Sequence, residues 1–168
     1  ERRLAILIPD YPRASGRSGY AVGLDVPQTV LAILEDLKNA GYTVENIPET
    51  AKFLMQVLDE GAPGITQTDY AEAFQQLPAE ARQSIVGAWG EPDGQARFSS
   101  GFRAAHFGNV TVALAPDRGR SEDRRSDYHD PALPPRHELV AFGLWLRKTL
   151  GCHALVHVGA DGALECLP

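Results

Sequence analysis

Cysteine is scarce in this sequence: Cys152 and Cys166 are the only two among 168 residues. Two thiols make no disulfide framework of the kind that staples small secreted domains, so a reducing cytoplasm is the expected compartment. Long apolar runs are missing as well. Leu4-Ala5-Ile6-Leu7-Ile8 ends at Pro9, far short of a membrane span or a signal-peptide core, and no membrane span is expected. Basic clusters are lacking too. The formal charge is −6, and Arg118, Arg120, Arg124 and Arg125 are interleaved with Asp117, Glu122, Asp123 and Asp127. That is a solvated mixed-charge loop and offers no footprint for a nucleic acid. A phosphate loop is also absent: Gly16, Gly19 and Gly23 fit neither a dinucleotide fingerprint nor a P-loop, and no Gly-Lys-Ser/Thr occurs. There is no internal repeat and no low-complexity stretch.

What remains is an ordinary globular mixture, 43% hydrophobic and 23% charged, long enough to bury one core without a staple. A single α/β domain over residues 1–168 is the expectation. Both ends read as cuts through a longer polypeptide, since the chain stops at Cys166-Leu167-Pro168 just after a strand-loop pattern.

The run Leu4–Ile8 has the pattern of a strand buried on both faces. After the glycine-rich loop, Asp25-Val26-Pro27-Gln28 opens a helix: Asp25 can cap it, Gln28 stands at capping-box spacing, and Pro27 is tolerated in a first turn. Val30, Ile33, Leu34 and Leu37 continue at helical spacing up to Gly41, and Tyr42-Thr43-Val44 reads as a second strand, parallel to the first by default. Residues 50–90 read as a helical insertion with three stripes: Phe53, Leu54, Val57 and Leu58; Tyr70, Phe74 and Leu77; Ala81, Ile85 and Trp89. Strand character returns over residues 107–115, where Val110, Val112 and Leu114 alternate with Thr111, Ala113 and Ala115, and Gly108-Asn109 can turn a hairpin out of 103–107. A long polar loop over 116–134 follows, then a helix with Leu139, Phe142, Leu146 and Leu150, and a last strand over 154–158. The fold class is therefore α/β, a parallel or mixed sheet flanked by helices.

Parallel strands deliver the loops at their carboxyl ends to one sheet edge, where open α/β sheets bind ligands. Most of the unusual residues lie on those loops: Asp10, Tyr11, Arg17, Arg118, His129, Asp130, His157 and Glu165. Solvent-facing polar residues ordinarily collect there too, so position alone does not make them a site. A zinc set from Cys152, His153 and His157 fails on geometry. On a strand at about 3.3 Å per residue, two His four apart stand roughly 13 Å apart, too far for one ion. His153 reads as structural, Cys152 as a small hydrophobe, and His137 as a residue that either caps or packs.

The segment His157-Val-Gly159-Ala-Asp161-Gly162-Ala-Leu-Glu165-Cys-Leu167-Pro168 resembles the His-x-Gly-x-His-Gly-x-x-Glu-x-x-Pro-Gly-Lys segment of the cobaltochelatase large subunit (CobN) and magnesium chelatase H subunit family. Upstream blocks agree in order: Pro9-Asp10-Tyr11-Pro12, Gly16-Arg17-x-Gly19, Val22-Gly23-Leu24-Asp25-x-Pro27, Phe107-Gly108-Asn109-Val110, Tyr128-His129-Asp130-Pro131-x-Leu133 and Phe142-Gly143-Leu144-Trp145-Leu146-Arg147.

The resemblance implies an internal part of a much larger subunit that binds hydrogenobyrinic acid a,c-diamide. That enzyme inserts Co²⁺ in cobalamin biosynthesis, while AAA+ ATPase partner subunits hydrolyse ATP. It also implies that the isolated piece is inactive. On this reading His157 and Glu165 are the catalytic pair, with His157, Asp161 and Glu165 handling the metal, because imidazole nitrogen suits Co²⁺ and a carboxylate can take a proton. Arg17, Tyr11, Arg118, His129 and Asp130 would bind the tetrapyrrole. Asp161 departs from the family's second His, which leaves open a different metal, Mg²⁺ among them. Two alternatives stand beside this reading. One is a non-catalytic module that binds a tetrapyrrole or metal or docks subunits. The other is a magnesium chelatase H-type subunit acting on protoporphyrin IX.

Overall fold

A computed structural model describes residues 2–8, 20–21, 23–92, 101–117, 130 and 132–159. Its centre is a four-stranded sheet: β1 (Leu4–Ile8), β4 (Ala104–Phe107), β5 (Val110–Leu114) and β6 (Ala154–His157), in the order β4-β5-β1-β6. β1 pairs parallel with β5 (Leu4 opposite Val110, Ile8 opposite Leu114) and parallel with β6 (Leu4 opposite Ala154, Leu7 opposite His157). β4 is antiparallel to β5, so the sheet is mixed. A separate two-residue ribbon, β2 (Tyr20–Ala21) with β3 (Leu24–Asp25), precedes the first helix.

The continuous apolar character of β1 follows from its position. Helices cover both faces of it, and all five of its residues are buried. Leu4, Ile6 and Ile8 face a layer made by α1 (Val26–Asn39) and α2 (Ala51–Glu60). Ala5 and Leu7 face the other layer, made by α3 (Gln67–Gln75), α4 (Ala79–Trp89) and α5 (His137–Leu144). The last turn of α5 widens into a π-helical segment, Trp145–Thr149. No helix among the described residues is long and apolar enough to cross a membrane.

Capping chemistry sets the helix starts. The Asp25 carboxylate accepts from the Gln28 N–H at 3.2 Å, as its spacing predicts. Thr50 and Thr66 do the same for α2 and α3, accepting from the N–H of Phe53 at 3.2 Å and of Asp69 at 3.1 Å. The three helical stripes of residues 50–90 are α2, α3 and α4, although Phe53 turns out to solvent and leaves Leu54 and Leu58 to fill the core.

Two expectations need correction. Tyr42-Thr43-Val44 is no strand, and the parallel partners of β1 are β5 and β6. The N–H of Tyr42 closes α1 on the Leu37 carbonyl at 3.0 Å, and the Thr43 carbonyl accepts one bond from Asn109 at 2.9 Å, so the segment buttresses a turn and builds no ladder. The alternation read in β5 also misleads, because all five residues are buried. Thr111 is the polar member, and its hydroxyl lies 2.9 Å from His106 Nδ1.

Candidate functional site

β1 is the point from which the chain winds both ways. From β1 it crosses to β5 on one side, with α1 and α2 packed on one sheet face. From β5 it passes over the opposite face through α5 and returns as β6 on the other side of β1. Open α/β sheets bind ligands outside the carboxyl ends of the strands where the winding reverses, here β1 and β6. The chain after Ile8, residues 9–19, and the chain after Gly159 lie outside the described residues.

His157 closes β6 at that end of the sheet, opposite Leu7, and its side chain is exposed. The next residue, Val158, is buried and donates to the Leu7 carbonyl at 2.9 Å. The strand end that carries the imidazole is thus tied to the central strand. Of the other residues picked from the sequence, Asp130 is the second within the described set. It is exposed, and its Oδ1 accepts from the Ala132 N–H at 2.9 Å, a local turn closure. Tyr11, Arg17, Arg118, His129, Asp161 and Glu165 lie outside the described residues, and so does the expected meeting of His157 with Glu165. Among the described residues no three His, Cys, Asp or Glu side chains gather closely enough to hold a metal ion.

The far end of the long polar loop is anchored by contacts that sequence reading missed. Trp89 Nε1 donates to the Pro134 carbonyl at 2.9 Å, and the Arg136 guanidinium lies 5.7 Å from the centre of the Trp89 ring. His137 bridges three helical elements. Its Nε2 lies 2.9 Å from the Gly90 carbonyl at the end of α4, and its Nδ1 lies 2.6 Å from the hydroxyl of Tyr70 in α3. A carbonyl only accepts, so Nε2 carries the hydrogen, and in the neutral ring Nδ1 accepts from the phenol. Burial drives the Tyr70 hydroxyl far above the usual phenol range, which keeps it a donor. His137 therefore neither caps α5 nor merely packs. It pins the point where the chain re-enters the helix layer.

The opposite edge of the sheet, where β1, β5 and β6 begin, carries a small open cleft of about 270 Å³ lined by Arg3, His106, Asn109, Thr111 and Cys152. Its groups serve the fold. The N–H of Arg3 donates to His153 Nδ1 at 3.0 Å, and its Nη1 donates to the Leu150 carbonyl at 2.8 Å. Burial lowers the affinity of His106 for a proton. It raises the Cys152 thiol, against a smaller opposing pull from Arg3, and so favours an inert thiol. His153 is thus occupied by a backbone hydrogen bond at the start of β6.

The family model described as CobN/Magnesium Chelatase matches residues 1–168. The aerobic cobaltochelatase subunit CobN of Pseudomonas aeruginosa is 36% identical over the whole of this chain, which covers 15% of that protein. The H subunit of magnesium chelatase from Chlorobaculum parvum is 33% identical, again over the whole chain and 14% of its own length. Among solved structures, the catalytic subunit of cobaltochelatase from Mycobacterium tuberculosis superposes with a TM-score of 0.78 at 30% identity, over 98% of this chain and 15% of that one. This chain therefore spans about one-seventh of the length of such relatives. A match that runs from the first residue to the last, with the same fold, makes this chain a member of the CobN/magnesium chelatase family.

Proposed function

We propose that this chain is one α/β domain of the large, tetrapyrrole-binding subunit of a metal chelatase, and that the crevice between β1 and β6 takes part in metal insertion. The observation that carries the reading is His157: it sits at the carboxyl end of β6, beside the strand where the winding reverses, in a chain matched end to end by chelatase subunits. The reaction needs three things. Water must be stripped from a divalent ion, the ion must be delivered to the ring nitrogens, and the inner N–H protons must leave the macrocycle, one from a corrin and two from a porphyrin. The His157 imidazole holds the ion in transit, and the Glu165 carboxylate takes a proton or shares the ion. Arg17 and Arg118 pair with acidic groups of the tetrapyrrole, and Tyr11, His129 and Asp130 complete its walls.

The substrate reading is Co²⁺ insertion into hydrogenobyrinic acid a,c-diamide, in the cytoplasm and within cobalamin biosynthesis. ATP is hydrolysed by AAA+ partner subunits. The 36% identity to cobaltochelatase subunits supports it. A magnesium chelatase H-type role on protoporphyrin IX is the second reading. The 33% identity to the magnesium chelatase H subunit of Chlorobaculum parvum supports it, whereas Asp161 does not divide the two readings, because the His it replaces belongs to the pattern both share.

The test uses the complete subunit with its ATPase partners, following metal insertion by the absorbance of the ring. His157→Ala and Glu165→Gln are each expected to lower insertion at least roughly tenfold, with tetrapyrrole affinity kept within about twofold. Unchanged insertion in both variants removes this crevice from the mechanism. Running Co²⁺ and Mg²⁺ in parallel, each with its own tetrapyrrole, separates the two substrate readings.

A further inference from the structure

β6 is built like an interior strand but stands at the edge of the sheet. Its sequence, Ala-Leu-Val-His, carries no lysine, no proline and no other device that blunts a free edge. One side pairs with β1, and no strand of the described residues runs along the other. All four residues are exposed, including Leu155 at 52% and Val156 at 39%. Successive side chains of a strand point to opposite faces, so apolar surface is open on both faces at once. Both helix layers stop short of it: the residues of β6 belong to neither buried cluster, and cover resumes only at Val158.

The occupant must therefore fill the edge and cover both faces. A partner that added a strand would pair the edge, and one that leaned on a face would cover Leu155 or Val156, but not both. Continuation of a sheet wound on both faces supplies all three. Relatives carry some six-sevenths of their length outside the region matched here.

We propose that β6 is an interior strand of the folded subunit. Polypeptide of the same chain outside these 168 residues adds a strand along its free edge and lays helices over Leu155 and Val156. The added strand runs beside His157, so its end forms a further wall of the crevice between β1 and β6. The proposal concerns the sheet and stands whether or not the crevice handles a metal.

Hydrogen exchange on the subunit expressed from its complete reading frame, without its partners, tests the edge. An open edge leaves about half of the β6 amides unbonded and fast. The expected result is that every amide from Leu155 to His157 is slow, within about tenfold of β1. Leu155→Cys and Val156→Cys then test the faces, with maleimide labelling read by peptide mapping. Both are expected to react at least tenfold more slowly in the native subunit than in urea. Four results overturn the proposal: fast exchange at half the β6 amides; native labelling of either cysteine at the urea rate; protection that rises with protein concentration, which means a second copy; and protection that needs the ATPase subunits, which means a partner. Failure of these tests leaves metal insertion by the His157 variants unaffected, and loss of insertion in those variants says nothing about the edge.

Discussion

At the scale of single residues, the most informative group is one whose role no local pattern announces. His137 lies two positions after Pro134-Pro135, and its neighbours in sequence suggest a cap or a packed ring. Its partners are Tyr70 and Gly90, both remote in the chain. Removing the phenol hydroxyl takes from Nδ1 the donor it accepts from, while leaving the packing of both rings nearly intact. Tyr70→Phe is therefore expected to cost about 1–2 kcal/mol in urea unfolding, the usual penalty for orphaning a partly buried polar atom. An unchanged midpoint would mean that water replaces the hydroxyl at no cost. His157 presents the converse case. Alone it is one more strand-end histidine, and only the run of matching residues after it singles it out. Its placement beside the reversal of winding comes from tertiary structure, which one strand cannot reveal.

Elements were legible where a local rule governs them. Asp25, Pro27 and Gln28 announce the start of α1, and the Gly108-Asn109 pair announces the β4–β5 hairpin. Gly108 has φ 63° while Asn109 does not share the positive sign, as in a two-residue turn with glycine at its first central position. A Cβ placed on Gly108 would fall 2.5 Å from the Thr43 carbonyl oxygen. Gly108→Ala is expected to destabilise the protein by about 1–3 kcal/mol, measured as a lowered denaturation midpoint with unchanged slope. A neutral result would show that residues 42–44 move aside freely. The same contact explains the failed strand at Tyr42-Thr43-Val44. Its β-prone composition is genuine, but β5 takes the place beside β1 and leaves that segment to support the turn. Thr50 and Thr66 stand just ahead of helical stripes and cap them, a local signal that the stripes alone did not reveal. The π-helical widening after Leu144 left no mark in the apolar periodicity.

For the whole molecule, composition and strand patterns were enough for an α/β sheet with helices on both faces, and the order of the family's motifs was enough for its membership. The order of the strands was not. Which side of β1 receives β5 and which receives β6 depends on which helix packs on which face, a property of the assembled layers. Function belongs to a still larger unit. Expressed by themselves, the 168 residues are expected to give no metal insertion even with ATPase subunits supplied, measured by ring absorbance; turnover under those conditions would place the entire reaction within this one domain. The central position of β1 also governs how the chain comes together. Of the strands described, the earliest in sequence sits between two partners made far later, since Leu4 waits for Val110 and again for Ala154. Local helices can form as they emerge, but the spine of the sheet closes only after nearly all of this sequence has been synthesised. Loop-closure entropy is spent before any parallel pairing returns it. A nascent chain interrupted before residue 110 would expose five consecutive apolar residues with nothing beside them, an invitation to chaperones.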